Sequence, residues 1–457
     1  MDNPEAPTLF DVGEADRKPV AVARTRCAPD ALIVRPERTQ RHLVPASLDE
    51  RLDADHGARA VWGVVDALEV GVLEGQIESN RRRGGRPASD PRVMLALWVY
   101  GMSQGEGQAS RLARFAQSDD AYRWLCGGVP AGERKLADFR QKQGEAFEGL
   151  LTQVIGVLMN AGLVDVTRIA QDGTRVRAWA GTGSFKRLPT LDEALSTART
   201  HVAEVLAQTK DPQHRTVAEA VAERAAQERV ARLEFARERV IEMTRQRALP
   251  EAIHEDSKKA PRASFTDPDA TIMKMGDGGF RPAYNVQFAT AADASGVIVG
   301  VDVTMRGSDQ GEMLAMRAQV EARTGVHVDE HLVDAGYAQH AEIDAAAAQG
   351  TSVFAPLPKQ KAVNGGVRER EWSPAVRAWH ARMESDEGKN VYRARSRVAE
   401  LSNARAKAQF GLKQPRLRGK KAVLGFATLL ALSMNVERLI SLRVTANPTA
   451  VTTAHAT

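Results

Sequence analysis

The chain has 457 residues, 43% of them hydrophobic and 26% charged, and a formal net charge of +5. These values are typical of a globular protein with two or three domains. No run of about 18 apolar residues occurs, so we expect no membrane span. The N-terminus lacks the layout of a signal peptide, and Cys27 and Cys126 have no metal-ligand spacing, so we expect a reducing cytoplasm and no structural disulfide.

The N-terminal part divides into an arm and a helical region. Residues 1–40 lack hydrophobic periodicity and predict a flexible arm. Over residues 41–163 apolar side chains recur at helical spacing, and Asp90–Pro91 has the form of an N-cap followed by proline. This region holds a cluster of arginines: Arg81, Arg82, Arg83 and Arg86. The pattern predicts a helical DNA-binding domain in which these arginines and Arg111 contact phosphates, although a helical bundle with a charged surface would look the same.

The next stretch carries the first candidate catalytic residue. A short apolar run ends at Asp172 and is followed by Gly173, which predicts a strand that delivers a carboxylate beside a glycine turn. The cations that follow, Arg175 and Arg177, suit a metal-dependent site for phosphoryl transfer. An isolated Asp-Gly pair is more often only a turn, so a catalytic role for Asp172 depends on evidence from the rest of the chain.

Residues 190–256 are rich in alanine, glutamate and arginine, with apolar side chains at helical spacing. The link TKDPQHRT between the two predicted helices indicates an antiparallel hairpin. The pattern predicts a helical insertion after the first core strand, and a spacer, a dimer contact or a DNA-side arm would all be compatible with it.

Strand patterns resume after this insertion. YNVQFATA and VIVGVDVT predict a hairpin, a helix is expected from Ser308, and the strand EHLVDAGY then ends near Asp334. SVFAPLP predicts one more strand, and the final predicted helix, 391–409, carries Glu400. Other acids, Asp309 among them, compete for a metal-binding role but do not follow a strand that has a matching partner.

Three acids are thus predicted on core elements: Asp172 and Asp334 at strand ends, and Glu400 on a late helix. If the two strands are neighbours, the late helix can bring the third carboxylate across from the other two. Mg²⁺ favours carboxylate oxygens, and two Mg²⁺ ions, with Mn²⁺ as a substitute, can catalyse in-line displacement at a phosphodiester.

The late helix is also basic. Helical spacing puts Arg393, Arg397, Glu400 and Lys407 on one face, with Tyr392 one turn beyond. Cations that flank a metal-binding acid favour contact with DNA near the scissile phosphate. A solvated helix face with ion pairs is the alternative.

Several segments carry a family resemblance: RPASDPRVMLALWVYGMSQG, AGLVDVTRIAQDGTRVRA, VDAGY and GKNVYRARSRVAE. Together they resemble the bacterial insertion-sequence transposases of the IS4/IS5-like DDE superfamily, most like the IS1182 family. The resemblance implies an RNase H-like core and carries the acidic triad of the family onto Asp172, Asp334 and Glu400. The Tyr-Arg-Glu-Lys signature of the superfamily falls on Tyr392, Glu400 and Lys407, while its arginine position falls on Ser396, with Arg395 and Arg397 on either side.

The predicted fold is therefore α/β, with an RNase H-like mixed-sheet core over residues 164–441 that contains the helical insertion, and a flexible tail over 442–457. The predicted function is that of a Mg²⁺-dependent transposase that binds terminal inverted repeats, cleaves the DNA ends and joins the 3′ hydroxyl to target DNA. A homodimer in the synaptic complex, a nucleoid-associated cytoplasmic location and no membrane partner are expected. A nuclease-only relative and a non-catalytic DNA-binding repressor are the alternatives, and three intact acids argue against the repressor. Trp372 and Trp379 are expected in packing roles rather than in base stacking.

Overall fold

The structure is a computed structural model, and it describes residues 46–77, 88–208, 216–246, 260–357 and 372–446. The arm predicted at residues 1–40 and the arginine cluster at 81–86 lie outside these ranges. Cys126 is buried and is not part of a disulfide.

The region before the first strand is helical, as predicted. Its helices are α1 (Gly57–Asp66), α2 (Gly71–Glu74), α3 (Pro91–Ser103), α4 (Ala109–Ser118), α5 (Asp120–Cys126), α6 (Glu133–Lys142) and α7 (Gly144–Asn160). The N-cap prediction for α3 is confirmed, because the Asp90 carboxylate accepts a 2.7 Å hydrogen bond from the backbone N–H of Arg92 and Pro91 is the first helical residue. This cap begins a helix that is buried along most of its length.

Eight strands follow in the described part of the chain: β1 (Arg168–Arg177), β2 (Phe185–Lys186), β3 (Ala263–Ser264), β4 (Thr271–Lys274), β5 (Phe280–Ala291), β6 (Ile298–Thr304), β7 (Glu330–Leu332) and β8 (Ser352–Phe354). Six of them form one sheet in which β5, β1, β7 and β8 are successive neighbours, and β4 and β6 both pair with β5. β5 is antiparallel to β1, β4 and β6, whereas β7 is parallel to β1 and to β8. The predicted mixed α/β architecture and the predicted β5–β6 hairpin are confirmed.

The insertion after β1 is helical, as predicted. It consists of α8 (Leu188–Gln208) and α9 (Val217–Gln246), and the two-stranded ribbon of β2 and β3 joins its two ends. The two helices bury a small core of their own, which includes Leu195 and Leu233. The insertion is therefore a helical hairpin closed at its base by a strand pair.

The remaining helices are α10 (Met313–Thr324), α11 (His340–Ala348), α12 (Pro374–Glu384), α13 (Asp386–Arg395), α14 (Leu401–Ala408) and α15 (Lys420–Ala446). A π-helical turn, Ser396–Glu400, joins α13 to α14. The helix expected from Ser308 begins only at Met313, and α12 and α15 were not predicted. The tail expected from residue 442 is also wrong at its start, because α15 continues to Ala446.

Helix α15 fills the centre of the fold. It packs against α3, α7 and β6, and most of its apolar side chains are fully buried. It is long and apolar enough to cross a membrane, yet 78% of its most apolar window is buried inside the protein. The N-terminal helices and the sheet share one hydrophobic core through it, and the described residues from Leu48 onward form one compact unit. The boundary expected near residue 163 therefore separates an all-helical region from a region of strands and helices, and the two regions share one core.

Candidate active site

The first predicted acid, Asp172, lies in the middle of a strand. β1 continues through Gly173 to Arg177, with Asp172 paired to Phe288 and Gly173 paired to Gln287 on β5. The predicted glycine turn is therefore wrong. β5 runs alongside and supplies hydrogen-bond partners to the backbone on both sides of the glycine, so the strand has no reason to end there.

The second acid, Asp334, follows the end of β7, as predicted. In the parallel pairing of β1 and β7, Arg168 is level with Glu330 and Ala170 with Leu332. The same register continued brings Asp334 level with Asp172. Asp334 is exposed, and one of its carboxylate oxygens accepts a 2.8 Å hydrogen bond from the backbone N–H of Ala335. The sheet thus presents the two carboxylates side by side.

The late helix holds both oxygens of Asp172. The guanidinium of Arg395 donates to Asp172 Oδ1 at 2.8 Å, and the side-chain amide of Asn403 donates to Oδ2 at 2.9 Å. Arg395 also lies 3.4 Å from Glu400 Oε1. The third predicted acid is therefore connected to the first through a buried arginine.

The π turn creates this face of the helix. In an unbroken α-helix, Arg395 and Asn403 would be roughly 80° apart around the axis. The π turn at Ser396–Glu400 takes up one additional residue, which returns the two side chains to the same side. It also explains why the arginine position of the resemblance, counted back from Glu400, falls on Ser396, whereas Arg395 occupies the site.

The prediction that one α-helical face carries all the basic residues is consequently wrong. Arg393 and Arg397 line a groove on another side of the helix, together with Arg405. Lys407 lies on the side of the acids, because burial lowers its pKa and Asp172 is close enough to oppose that shift. The sequence pattern did not single out Arg395 from its neighbour Arg397 and gave no role to Asn403, because helical periodicity does not indicate a π turn.

The electrostatics support this grouping. Burial raises the pKa of Asp172, and the Asp334 and Asp309 carboxylates add to that effect, while Arg395 and Asn403 oppose it. Burial by itself would lower the pKa of Arg395, but Asp172 and the other nearby acidic groups hold it above its ordinary value.

The predicted Tyr392 and Lys407 belong to the same environment. Burial raises the pKa of Tyr392, with Arg395 opposing the shift and Asp334 adding to it. Burial lowers the pKa of Lys407, with Asp172 opposing the shift and Arg175 adding to it. Both side chains are therefore within electrostatic reach of the acids.

Asp309, which sequence analysis set aside, lies close to this centre. Its Oδ1 accepts hydrogen bonds from the side-chain amides of Asn285, at 2.7 Å, and Gln287, at 2.8 Å. A Cβ atom on Gly173 would overlap with Asp309 Oδ1 and the Gln287 amide, so the glycine makes room for this acid. Because side chains alternate along a strand, Asp309 faces Gly173 on the side of β1 opposite to Asp172. Tyr337 completes the socket by donating its hydroxyl to Gln287.

The other predicted cations lie around this centre or away from it. Arg175 donates to the backbone carbonyl of Gly307 at 2.8 Å, whereas Arg177 is exposed at the end of β1. Arg111 lies on α4 and pairs with Glu106 at 3.0 Å.

The two tryptophans have packing partners. Trp379 is 1% exposed and donates to the carbonyl of Ala355, and Trp372 stacks on His380 with 4.0 Å between ring centroids. The predicted packing role is confirmed for Trp379.

The donor set is suited to a divalent cation that prefers oxygen ligands. Asp172, Asp334 and Glu400 supply carboxylates, and the buried Asn403 Oδ1 has no hydrogen-bond partner among the described residues. Within that part of the chain, no three His, Cys, Asp or Glu side chains are already clustered closely enough to enclose an ion. The Arg395 guanidinium lies between the Asp172 and Glu400 carboxylates instead.

Two family models match this chain. Residues 359–440, which include Tyr392, Arg395, Glu400 and Lys407, match a "Transposase DDE domain". Residues 46–142, which include α1 to α6, match a "Transposase domain (DUF772)", which is typical of IS1182-like elements. No curated protein and no solved structure matches the chain.

The matches lie on either side of the sheet that carries Asp172 and Asp334. A DDE domain implies an RNase H-like core, and the strand arrangement of the mixed sheet agrees with that fold. With a transposase domain before the sheet and a DDE domain after it, the two matches support a DDE transposase of an insertion sequence, a class of enzymes that cut and move DNA.

Proposed function

We propose that this transposase binds the terminal inverted repeats of its own insertion sequence, cleaves the DNA at the ends and joins the freed 3′ hydroxyl to target DNA. The observation that carries the proposal is the register between β1 and β7, which brings Asp334 level with Asp172, with Glu400 on the helix that faces Asp172. Acids held on two neighbouring strands and one helix suit phosphoryl transfer.

Asp172, Asp334 and Glu400 are the residues that would hold Mg²⁺, or Mn²⁺ in its place. Two such ions would activate the attacking oxygen and stabilise the leaving oxygen. In the chain itself, Arg395 and Asn403 orient the Asp172 carboxylate through its two oxygens.

Lys407 supplies a half-buried positive charge beside Asp172, where a phosphate of the DNA would lie. Tyr392 lies near the same position, since the Asp334 and Glu400 carboxylates both raise its pKa. The side chains of the late helix thus bind and orient, while the carboxylates carry the chemistry.

DNA-end recognition is proposed for the N-terminal helical region, with Arg81, Arg82, Arg83 and Arg86 as phosphate contacts. A homodimer that pairs two element ends is part of the proposal, as is association with the nucleoid. Because the N-terminal helices share their core with α15, this recognition is best tested in the full chain. Replacing the four arginines by alanine should weaken binding to an end duplex and make that binding less dependent on salt.

The function is tested with Asp172→Asn, Asp334→Asn and Glu400→Gln in a Mg²⁺-dependent cleavage assay on a duplex that carries an element end. Each variant should lose cleavage and keep end binding, whereas Asp277→Asn, at an exposed acid paired with Arg281, should behave as wild type. Substantial cleavage by any one of the three would remove that residue from the triad.

A strand-transfer assay on the same DNA separates the alternatives. A transposase joins the cleaved end to a second duplex, a nuclease-only relative stops after cleavage, and a repressor binds the end without cutting it.

A further inference from the structure

A groove of about 800 Å³ lies behind the catalytic helix, on the side away from Asp172. One wall is the outer surface of α13, the π turn and α14. The opposite wall is formed by the turn between β5 and β6 and by Arg438 of α15. Four arginines line it: Arg393, Arg397, Arg405 and Arg438.

Three of these arginines have no acidic partner among the residues that the structure describes. Among the described residues, no carboxylate lies within 4.0 Å of the guanidinium groups of Arg393, Arg397 or Arg438, whereas Arg405 pairs with Glu437 at 2.8 Å. Arg92, by comparison, is paired with Glu74 at 2.7 Å. The described walls of the groove therefore carry an unbalanced positive charge.

The acid within the groove offsets only part of this charge. Asp293 lies in the β5–β6 turn, where its two carboxylate oxygens accept hydrogen bonds from the backbone N–H groups of Ser295 and Asp165, each at 2.8 Å. Its oxygens thus accept from two backbone N–H groups and from the Ser295 hydroxyl, and it forms no ion pair with the groove arginines within 4.0 Å in the described residues.

The cations are also held in place. Arg438 donates from Nε to the carbonyl of Ser295 at 2.6 Å, which leaves guanidinium N–H groups to face the groove. Gly296 makes room for it, because a Cβ there would lie 3.3 Å from Arg438 Nη2, at a backbone φ of +63°. Arg393 donates to Asn390 at 2.7 Å on its own helix. A groove with positioned donors loses less conformational entropy when it binds an anion.

From these observations we propose that the groove binds the phosphate backbone of a second segment of duplex DNA, separate from the segment whose phosphodiester lies at Asp172. Guanidinium groups on two walls match the phosphates of a duplex, which contacts them without regard to base sequence. This inference rests on the proposed function. It assigns Arg393 and Arg397 to the second segment and leaves Arg395 and Lys407 to the first.

The test compares three full-length proteins: wild type, Arg393→Ala/Arg397→Ala, and Arg393→Lys/Arg397→Lys. Binding of each to a duplex that extends well beyond the element end is measured by fluorescence anisotropy at several KCl concentrations. Loss of two phosphate contacts should reduce the slope of log K against log salt concentration by about 1.8 in the alanine variant. The lysine variant keeps the charge and should keep the slope. Thermal melting shows that all three are folded.

A hydroxyl-radical footprint on the same duplex locates the contact. The alanine variant should lose protection of one stretch of backbone away from the scissile phosphate and keep protection around that phosphate. An unchanged slope and footprint in the alanine variant would overturn the inference, and so would loss of protection at the scissile phosphate itself. Failure of the wild-type protein to bind DNA would instead refute the proposed function, so the two failures are distinguishable.

Discussion

Replacing Arg395 by methionine tests whether this arginine holds Asp172 in place. Methionine keeps much of the apolar stem and removes the guanidinium, so Asp172 loses a 2.8 Å charge-assisted hydrogen bond and retains the one from Asn403. Asp172 would then be a partly buried carboxylate without its cation.

The size of the effect follows from exposure. The Arg395 side chain is 8% exposed and that of Asp172 is 21% exposed, so water screens the pair only weakly. Removing one partner of a buried ion pair costs about 3–5 kcal/mol. Because Asp172 keeps one amide partner and some contact with water, we expect the lower end, about 3 kcal/mol. The contact with Glu400, whose side chain is mostly exposed, contributes little.

The assay is a double-mutant cycle in urea, in a buffer with a chelator so that no added ion replaces the guanidinium. The free energy of unfolding is measured for wild type, Arg395→Met, Asp172→Asn and the double variant. Asp172→Asn should also be destabilising, because it leaves the buried Arg395 guanidinium with only the mostly exposed Glu400 as an acidic partner. We expect a coupling energy of about 2 kcal/mol. A coupling below about 0.5 kcal/mol would show that Arg395 does not hold Asp172 in solution.

Three further predictions concern single positions. Lys407→Ala should lower the cleavage rate by about ten- to a hundredfold, or about 1.4–2.7 kcal/mol, with little change in melting temperature. Lys407→Arg should recover part of the rate. A wild-type rate in Lys407→Ala would contradict a role at the phosphate. Gly173→Ala should destabilise the fold by about 1–3 kcal/mol in urea unfolding, since its Cβ would overlap with Asp309. Adding Asp309→Ala should restore part of the lost stability. Equal stability of Gly173→Ala and wild type would show that Asp309 does not pack against Gly173. Burial, with Arg317 adding to it, lowers the pKa of His331 to about 3, so the stability it contributes is complete above the unfolded pKa of about 6.5 and is lost as the pH falls toward the folded value. His331→Gln should therefore remove an acid-induced loss of about 2 kcal/mol between pH 6.5 and 5, and parallel curves of melting temperature against pH for the two proteins would contradict this.

Local pattern was sufficient for much of the fold. The Asp90–Pro91 cap, the helices before β1, the hairpin of β5 and β6 and the helical insertion all depend on residues close together in sequence. Periodicity and capping report such contacts directly. The position of Asp334 just after its strand could be predicted for the same reason. The apolar pattern of α15 is equally local and could have predicted that helix.

The arrangement of the site depends on partners that are distant in sequence. Nothing near Asp172 shows that β5 will pair along both sides of Gly173, or that Asp309 will occupy the space the glycine leaves. The parallel register that aligns Asp172 with Asp334 is likewise set by backbone hydrogen bonds between segments more than a hundred residues apart.

The late helix combines features that local sequence predicts with features that distant contacts set. Helical spacing is a local property, so the residues around Glu400 could be predicted to form a helix with acidic and basic side chains. The π turn that interrupts this helix could not be predicted, because it depends on contacts with a distant strand. It directs Arg395 and Asn403 at Asp172 and leaves Arg393 and Arg397 facing the groove. A π turn is intrinsically unfavourable, and here its cost is offset by the buried contacts that both side chains make with Asp172, a residue on a strand more than two hundred positions earlier in the chain.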